Sequence, residues 1–286
     1  MSFKEKLVQE LKEQIPESKL GFLPKGFQRV GDIVILNLNN ELDSFKEEIG
    51  EAVLRVFPKI KSVCNKEGEI TGQFREPQIK VIAGSEDTKT CHKESGCVFC
   101  FDVQKVMFAK GNVSERTRIA KQVKSGEIIV DMFAGIGYFS VPIARTRFPD
   151  KVYSIELNTK SFEFLKENIE KNKILDIVEP LNKNSKEVVS ELFEKYGRFA
   201  DRVLLGYLPP PIDFVPYALK IIKSKGIIHY EALINTEHKE KDIDLVMKEI
   251  SGFAEEKGLK TELILAKKVK GYGPKKDHYV LDVRVL

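Results

Sequence analysis

The sequence predicts an α/β protein: a doubly wound, mostly parallel sheet preceded by a smaller α+β domain. Three observations lead there. From Glu127 onward, short apolar strands alternate regularly with helical segments, as in a layered parallel sheet. Before that point helices and strands mix without such regularity. The 286 residues, 42% hydrophobic and 31% charged, supply enough apolar side chains for two cores. The expected domains are 1–119 and 120–286.

Residues 4–14 carry Leu7 and Leu11, followed by Ile15, at helical spacing. Gly31-Asp32 leads into an apolar strand over 33–38. A helix over 44–56 puts Phe45, Ile49, Val53 and Leu54 on one face, and strands follow near 62–64, 79–82 and 98–103. Asn112 is a suitable N-cap for a helix over 112–123 that bridges to the second half. There, strands are predicted at 128–130, 152–155, 201–205, 226–230, 263–268 and 278–285. Helices are predicted at 138–145, 160–172, 214–223 and 237–257.

Composition excludes several classes. No apolar run approaches the ~18–20 residues of a membrane helix, and the charged N-terminus does not read as a secretory signal. Four cysteines do not make a disulfide scaffold, so a reducing cytoplasm is the expected location. Cys91-His92 and Cys97-x-x-Cys100 offer soft metal ligands. Residues three apart on a strand point to opposite faces, however, so ordinary strand thiols and no metal are expected. The net charge is only +4, with 19 Lys+Arg against 18 Asp+Glu in residues 1–119 and 28 against 25 in the rest. That balance excludes a polybasic nucleic-acid domain but leaves room for a local patch. Lys267, Lys268, Lys270, Lys275 and Lys276 surround Gly271-Tyr272-Gly273-Pro274. Such a hairpin could hold RNA phosphates while Tyr272 stacks on a base, or could simply be solvated.

The central motif is Asp131-Met132-Phe133-Ala134-Gly135-Ile136-Gly137-Tyr138-Phe139, which follows a strand and opens a helix. Its glycines permit a sharp turn and close approach of a ligand. Glu156 ends the next strand, where a carboxylate can accept both hydroxyls of a ribose. A dinucleotide loop would want a third glycine where this chain has Ser140, and an unencumbered helix N-terminus for pyrophosphate. An acid just before the loop and a second acid ending the next strand resemble the S-adenosylmethionine (SAM) site of class I methyltransferases. NAD or FAD, and a ligand-free turn, are the other readings. Further on, Gly206-Tyr207-Leu208-Pro209 follows the 201–205 strand and would line the reacting end of the ligand, or serve as a rigid connection. His229 and Tyr230 end another strand, as a satisfied polar cap on the sheet or as catalytic groups.

Several stretches together resemble one group of enzymes. They are Phe133–Phe139 above, Lys105-Val106-Met107-Phe108-Ala109-Lys110-Gly111-Asn112-Val113-Ser114-Glu115-Arg116, Gly72-Gln73-Phe74-Arg75-Glu76-Pro77, Ile227-Ile228-His229-Tyr230 and the turn over 269–274. The group acts on the guanosine at position 37 of tRNA. It includes the tRNA guanine-N1 methyltransferases and the wybutosine-pathway transferases that move the 3-amino-3-carboxypropyl group of SAM. Methyltransferases of the group carry Asn-Leu-Pro where this chain has Gly206-Tyr207-Leu208-Pro209, and the aminocarboxypropyl branch resembles Gly-Tyr there. An additional N-terminal elbow-reading domain, common in the methyltransferases, is not expected here. Both points favour the aminocarboxypropyl branch, while Leu208-Pro209 is shared with the methyltransferases.

The resemblance implies a class I SAM-dependent methyltransferase-like (Rossmann) fold for the second domain, with the first facing the substrate base. It implies SAM as co-substrate and the tRNA anticodon loop as partner. The expected SAM-binding residues are Phe108, Ala109, Arg116, Asp131, Ala134, Gly135, Gly137, Glu156, Asn184, Ser185, Gly206 and Tyr207. Arg116 is the candidate fork for the methionine carboxylate. Glu115 is placed like a general base, and Arg75 like a group that steadies negative charge on the base. Glu115 and Arg116 also suit a helix first turn, Asn184 a plain turn, and Phe108 a core position. A cytoplasmic monomer transferring aminocarboxypropyl to 4-demethylwyosine is the first expectation. Guanine-N1 methylation and non-catalytic SAM or tRNA binding are the alternatives.

Overall fold

The computed structural model describes every residue except Ala109, and Lys110 by its backbone only. The Ala109 expectation therefore lies outside the described residues. The chain forms two compact units, Met1–Lys93 with Val98–Phe108, and Glu94–Cys97 with Ala109–Leu286.

The first unit opens with α1 (Phe3–Leu11), started by a reciprocal capping box between Ser2 and Glu5. After α2 (Glu17–Leu20) come β1 (Gln28–Val30), β2 (Ile33–Leu36), α3 (Lys46–Val56), β3 (Ser62–Lys66) and β4 (Ile79–Gly84). The strands pair in the order β1-β2-β3-β4, with β2 and β3 parallel and the outer pairs antiparallel. Leu7 and Leu11 of α1 and Ile49 and Val53 of α3 fill the core beside Val34 and Val63 of the sheet. These are the apolar points whose spacing predicts the helices.

β5 (Lys89–Glu94) and β6 (Cys97–Asp102) form a separate two-stranded sheet. Ser95 and Gly96 between them both have positive φ, as a tight hairpin turn requires. Cys91 and Cys100 are joined by a disulfide across it, with Cα atoms 4.0 Å apart. This corrects the expectation of ordinary thiols: the pairing of β5 with β6, which spacing within one strand does not reveal, brings the two together. Cys64 and Cys97 are free and buried. Among the described residues no His, Cys, Asp and Glu cluster is placed to hold a metal ion, and no helix is long and apolar enough to cross a membrane.

The second unit begins with α4 (Val113–Gln122), then β7 (Ile128–Asp131), α5 (Ser140–Arg145), β8 (Lys151–Ile155), α6 (Thr159–Lys171), β9 (Val178–Leu181) and α7 (Ser185–Tyr196). It continues through β10 (Ala200–Leu205), α8 (Val215–Ile221), β11 (Ile222–Asn235), α9 (Lys239–Glu255), β12 (Thr261–Gly273) and β13 (Lys276–Val285). The seven strands lie in the order β12-β13-β11-β10-β7-β8-β9. The five from β7 to β11 are parallel, and β13 runs antiparallel between β11 and β12. This is the predicted doubly wound sheet. The chain steps outward from β7 to β9, then returns past β7 to β10. That reversal opens a crevice at the carboxyl ends of β7 and β10, where such folds bind ligands.

β9 and α7 lie outside the predicted pattern. β9 is a four-residue edge strand containing Pro180, which masks its strand character. α4 lies in the second unit and is held by polar contacts. Arg118 of α4 grips both oxygens of Glu115 and reaches Asp282 of β13 at 2.6 and 2.9 Å. Asp282 Oδ1 lies 2.7 Å from His229 Nδ1, and His229 Nε2 lies 3.1 Å from Arg202 Nη1. An arginine only donates, so His229 Nε2 accepts and Nδ1–H donates to Asp282. Burial holds the His229 pKa below its usual value, and the Arg202 and Arg118 charges add to that effect against Asp282. His229 is thus a satisfied neutral imidazole beneath α4. Burial alone would raise the Asp282 pKa, but its hydrogen bonds with Arg118 and His229 win and hold it far below the carboxylate range.

Arg118→Ala would leave Glu115, 1% exposed, and Asp282, 2% exposed, without their shared cation. Chemical denaturation should show a loss of roughly 3–5 kcal/mol, as for other broken buried pairs. A loss under about 1 kcal/mol would place this pair with ordinary surface salt bridges.

Candidate active site

Four connections at the carboxyl ends of parallel strands carry most of the predicted site residues. They follow β7 with Asp131, Ala134, Gly135 and Gly137, β8 with Glu156, β9 with Asn184 and Ser185, and β10 with Gly206 and Tyr207. Hydrogen bonds tie them into one structure. Glu156 Oε2 accepts from the Gly135 N–H at 2.7 Å, and its Oε1 accepts from Asn158 N–H at 2.7 Å. Asn182 Nδ2 donates to the Glu156 carbonyl at 2.7 Å, and the Ser185 hydroxyl donates to the Met132 carbonyl. The Asn184 side chain caps α7 by accepting from Lys186 N–H.

Gly135 and Gly137 have φ of +57° and +93°. A Cβ on the first would lie 2.6 Å from the Tyr138 ring, and one on the second 2.6 Å from Val141. Both the backbone and the space therefore demand glycine. Ala134 is wholly buried, and its N–H donates to the Ile155 carbonyl at 2.9 Å. Asp131 has no exposed surface and supports the loop from beneath. It accepts from Ser140 Oγ at 2.7 Å and from the Phe133 N–H at 3.3 Å, and Ser154 Oγ donates to Ser140. Burial pushes the Asp131 pKa up to about 7, with the Glu156 charge adding to it against these hydrogen bonds. Burial also raises the Glu156 pKa, opposed by backbone N–H groups of Asn158, Gly135 and Leu157. The Glu156 carboxyl at the loop opposes a pyrophosphate and suits a ribose, and Asp131 beneath it fixes the loop, so the residues present fit SAM.

Beyond β10, Tyr207 stacks on Phe133 with centroids 5.2 Å apart, joining this connection to the glycine loop. The Leu208–Pro209 peptide is cis. A Cβ on Gly206 would lie 2.9 Å from the Phe139 ring, leaving no room for a longer side chain unless the ring moves.

The start of α4 brings Arg116 into the same unit. Its guanidinium is 2% exposed, pairs with Glu94 Oε1 at 3.2 Å and lies over the Tyr138 ring at 5.5 Å. Burial depresses its pKa while Glu94, Tyr138, Cys97 and Glu231 pull it back. Glu115 is buried in the grip of Arg118, as described above. Phe108 packs in the first unit, stacked on Phe101 at 4.8 Å and edge-on to His92 at 5.3 Å. Arg75 also belongs to the first unit, in a turn closed by a Thr71–Glu76 bridge, with φ +54°. Its Nη2 lies 3.8 Å from Met107 Sδ.

Sequence reasoning missed two buried groups. Glu231 and His278 meet at 3.1 Å in the second unit, and Glu231 faces Gly206. Strand alternation from His229 would have put Glu231 on the same face. Its cross-strand partner carried no local signal.

The buried Asp131 has a consequence for stability. The folded carboxyl keeps its proton to about pH 7, against an ordinary value of 3.8. Its contribution is thus fully present below the ordinary value and lost as pH rises through about 7. Relative to Asp131→Asn, the native protein should lose melting temperature between about pH 4 and about pH 7. A constant difference between the two proteins across that range would contradict the buried, proton-retaining assignment.

Residues 90–262 match the TRM5/TYW2 methyltransferase domain, and residues 7–88 match the TYW2 N-terminal domain. The tRNA(Phe) (4-demethylwyosine(37)-C(7)) aminocarboxypropyltransferase of Pyrococcus horikoshii is 38% identical over 96% of this chain and 94% of its own. A solved structure of P. horikoshii TYW2 in complex with MeSAdo has a TM-score of 0.84 at 34% identity, covering 99% of each chain. The tRNA (guanine(37)-N(1))-methyltransferase Trm5b of Pyrococcus abyssi is 30% identical over 95% of this chain and 78% of its own. The chain therefore belongs to the TRM5/TYW2 methyltransferase family.

Proposed function

We propose that this protein transfers the 3-amino-3-carboxypropyl group of SAM to 4-demethylwyosine at position 37 of tRNA, releasing methylthioadenosine. The observation that carries this reading is Gly206. The Phe139 ring stands 2.9 Å from where its Cβ would be, so an Asn there, as in the methyltransferases, would require the ring to move. Near-full-length similarity to the P. horikoshii aminocarboxypropyltransferase supports it.

In this reading Glu156 keeps free lone pairs on both oxygens for the ribose hydroxyls. Asp131 holds the loop rather than the ligand, since its surface is closed. Gly135 and Gly137 let the ligand approach the backbone, and the capped turn at Asn184 and Ser185 walls the adenine. Arg116 offers its planar fork to the carboxylate of the transferred group. A carbon of the base bonds to Cγ, the S–Cγ bond breaks with its electrons going to sulfur, and the proton displaced from the base carbon passes to water. The sulfonium is already a good leaving group, so alignment contributes more than acid catalysis. Glu115, clamped by Arg118 and buried, is assigned to positioning α4 and Arg116. Arg75 keeps the role of steadying charge on the base.

For the RNA we assign the β12–β13 hairpin, with Tyr272 44% exposed at its tip. Lys268 pairs with Asp277 and Lys275 with Glu237, so the patch is weaker than its five lysines suggest. Few phosphates would be contacted and the salt dependence of binding would be modest. A cytoplasmic monomer acting on the anticodon loop completes the reading.

The test is mass spectrometry of nucleosides from tRNA carrying the tricyclic base, after incubation with SAM. An aminocarboxypropyl increment is expected, and Glu156→Ala should abolish most of it. A methyl increment would move the protein to the methyltransferase branch, and undiminished turnover by Glu156→Ala would remove the ribose assignment.

A further inference from the structure

Glu231 and His278 are the buried ionisable pair that the functions assigned so far do not use. Glu231 lies directly opposite Val280 across β11 and β13, and His278 opposite Leu233. The two are diagonal neighbours on one face, and their side chains meet at 3.1 Å with exposures of 7% and 1%. A carboxylate is withdrawn from water at considerable cost, and such groups are retained where something charged meets them. His278 meets Oε2. Among the described residues, Oε1 has no hydrogen-bond donor. That oxygen lies 4.0 Å from the position of a Cβ on Gly206, at the crevice end of β10.

The surroundings define what would complete it. Arg116 lies over the Tyr138 ring at 5.5 Å, and the Gly206 position that Glu231 faces abuts the ring of the next residue, Phe139, so the two opposite charges flank one stretch of the glycine loop. Arg116 carries a positive charge, and Glu94 and Glu231 are carboxylates. The aminocarboxypropyl end of SAM brings a carboxylate, an ammonium and the sulfonium. One negative and two positive charges are the complement of that set. A lone guanidinium would serve the carboxylate alone. A zwitterionic group that must be swung toward the acceptor base needs a second anchor, of opposite sign, to fix its rotation.

We propose that Glu231, held in place by His278, receives the α-ammonium of the aminocarboxypropyl group while Arg116 receives its carboxylate. This rests on the reading that the protein uses SAM as aminocarboxypropyl donor. Glu231 is then a binding residue for the transferred group and His278 its positioning residue. The place of Gly206 gains a second meaning, because a side chain there would stand between Glu231 and the crevice.

The experiment is calorimetry with three ligands on the full chain: SAM, decarboxylated SAM, which keeps the ammonium, and methylthioadenosine, which lacks the whole group. Glu231→Gln should weaken SAM and decarboxylated SAM by about tenfold or more, the loss of a hydrogen bond to a charged group. It should leave methylthioadenosine nearly unchanged, which also reports an intact fold. His278→Asn should produce a smaller loss with the same ligand order, and supplies the same discrimination if Glu231→Gln does not fold. Equal weakening of all three ligands would make Glu231 a shaper of the pocket and overturn the proposal. So would unchanged binding of all three. A native protein that binds neither SAM nor methylthioadenosine would instead defeat the SAM reading beneath it.

Discussion

Asp131 ends β7 with no exposed surface, and the loop that carries the family's glycines is built upon it. Ser140 and the Phe133 N–H hold its carboxyl, and Ser154 backs Ser140. The glycine turn thereby acquires a fixed height above the sheet. Glu156 then binds the Gly135 N–H from the next strand, and Ser185 reaches the Met132 carbonyl from the strand after. Three connections from three strands are therefore rigid with respect to one another before any ligand arrives. Such preorganisation lowers the ordering cost of binding.

The same unit carries two sets of buried charge with different tasks. Glu115, Arg118, Asp282, His229, Arg202 and Glu127 form a chain of paired groups under α4. Every member has a partner, and the product is a fixed helix. Nearer the crevice, Arg116 pairs with Glu94 at 3.2 Å and Glu231 lies 3.1 Å from His278. The position of α4 links the two sets, since Glu115 and Arg116 are neighbours in its first turn.

Much of the fold was legible. Asp131, Gly135, Gly137 and Glu156 sit in a local strand–loop–helix pattern whose spacing states its own geometry. The helices over Leu7–Leu11 and Ile49–Val53 follow from apolar periodicity. What depends on pairing between distant segments was not legible. The Cys91–Cys100 disulfide needs β5 beside β6, and the Glu231–His278 contact needs β11 beside β13 in one register. β9 hid because a short edge strand can hold a proline. α7 did carry a readable signal, with Val188, Val189 and Leu192 on one side, so its omission reflects a weak preceding strand rather than a silent sequence. Glu115 shows the opposite limit. Its motif marks it out, yet only the structure reveals that Arg118 occupies both its oxygens.

Which bond to the sulfonium breaks decides the reaction. Two samples of SAM, one labelled in the methyl group and one in the aminocarboxypropyl carbons, distinguish the bonds in a single assay on tRNA bearing 4-demethylwyosine. Aminocarboxypropyl transfer puts label in the tRNA only from the aminocarboxypropyl sample, with the methyl label leaving in methylthioadenosine. Methyl label in the tRNA, with the other sample's label left in S-adenosylhomocysteine, would contradict it.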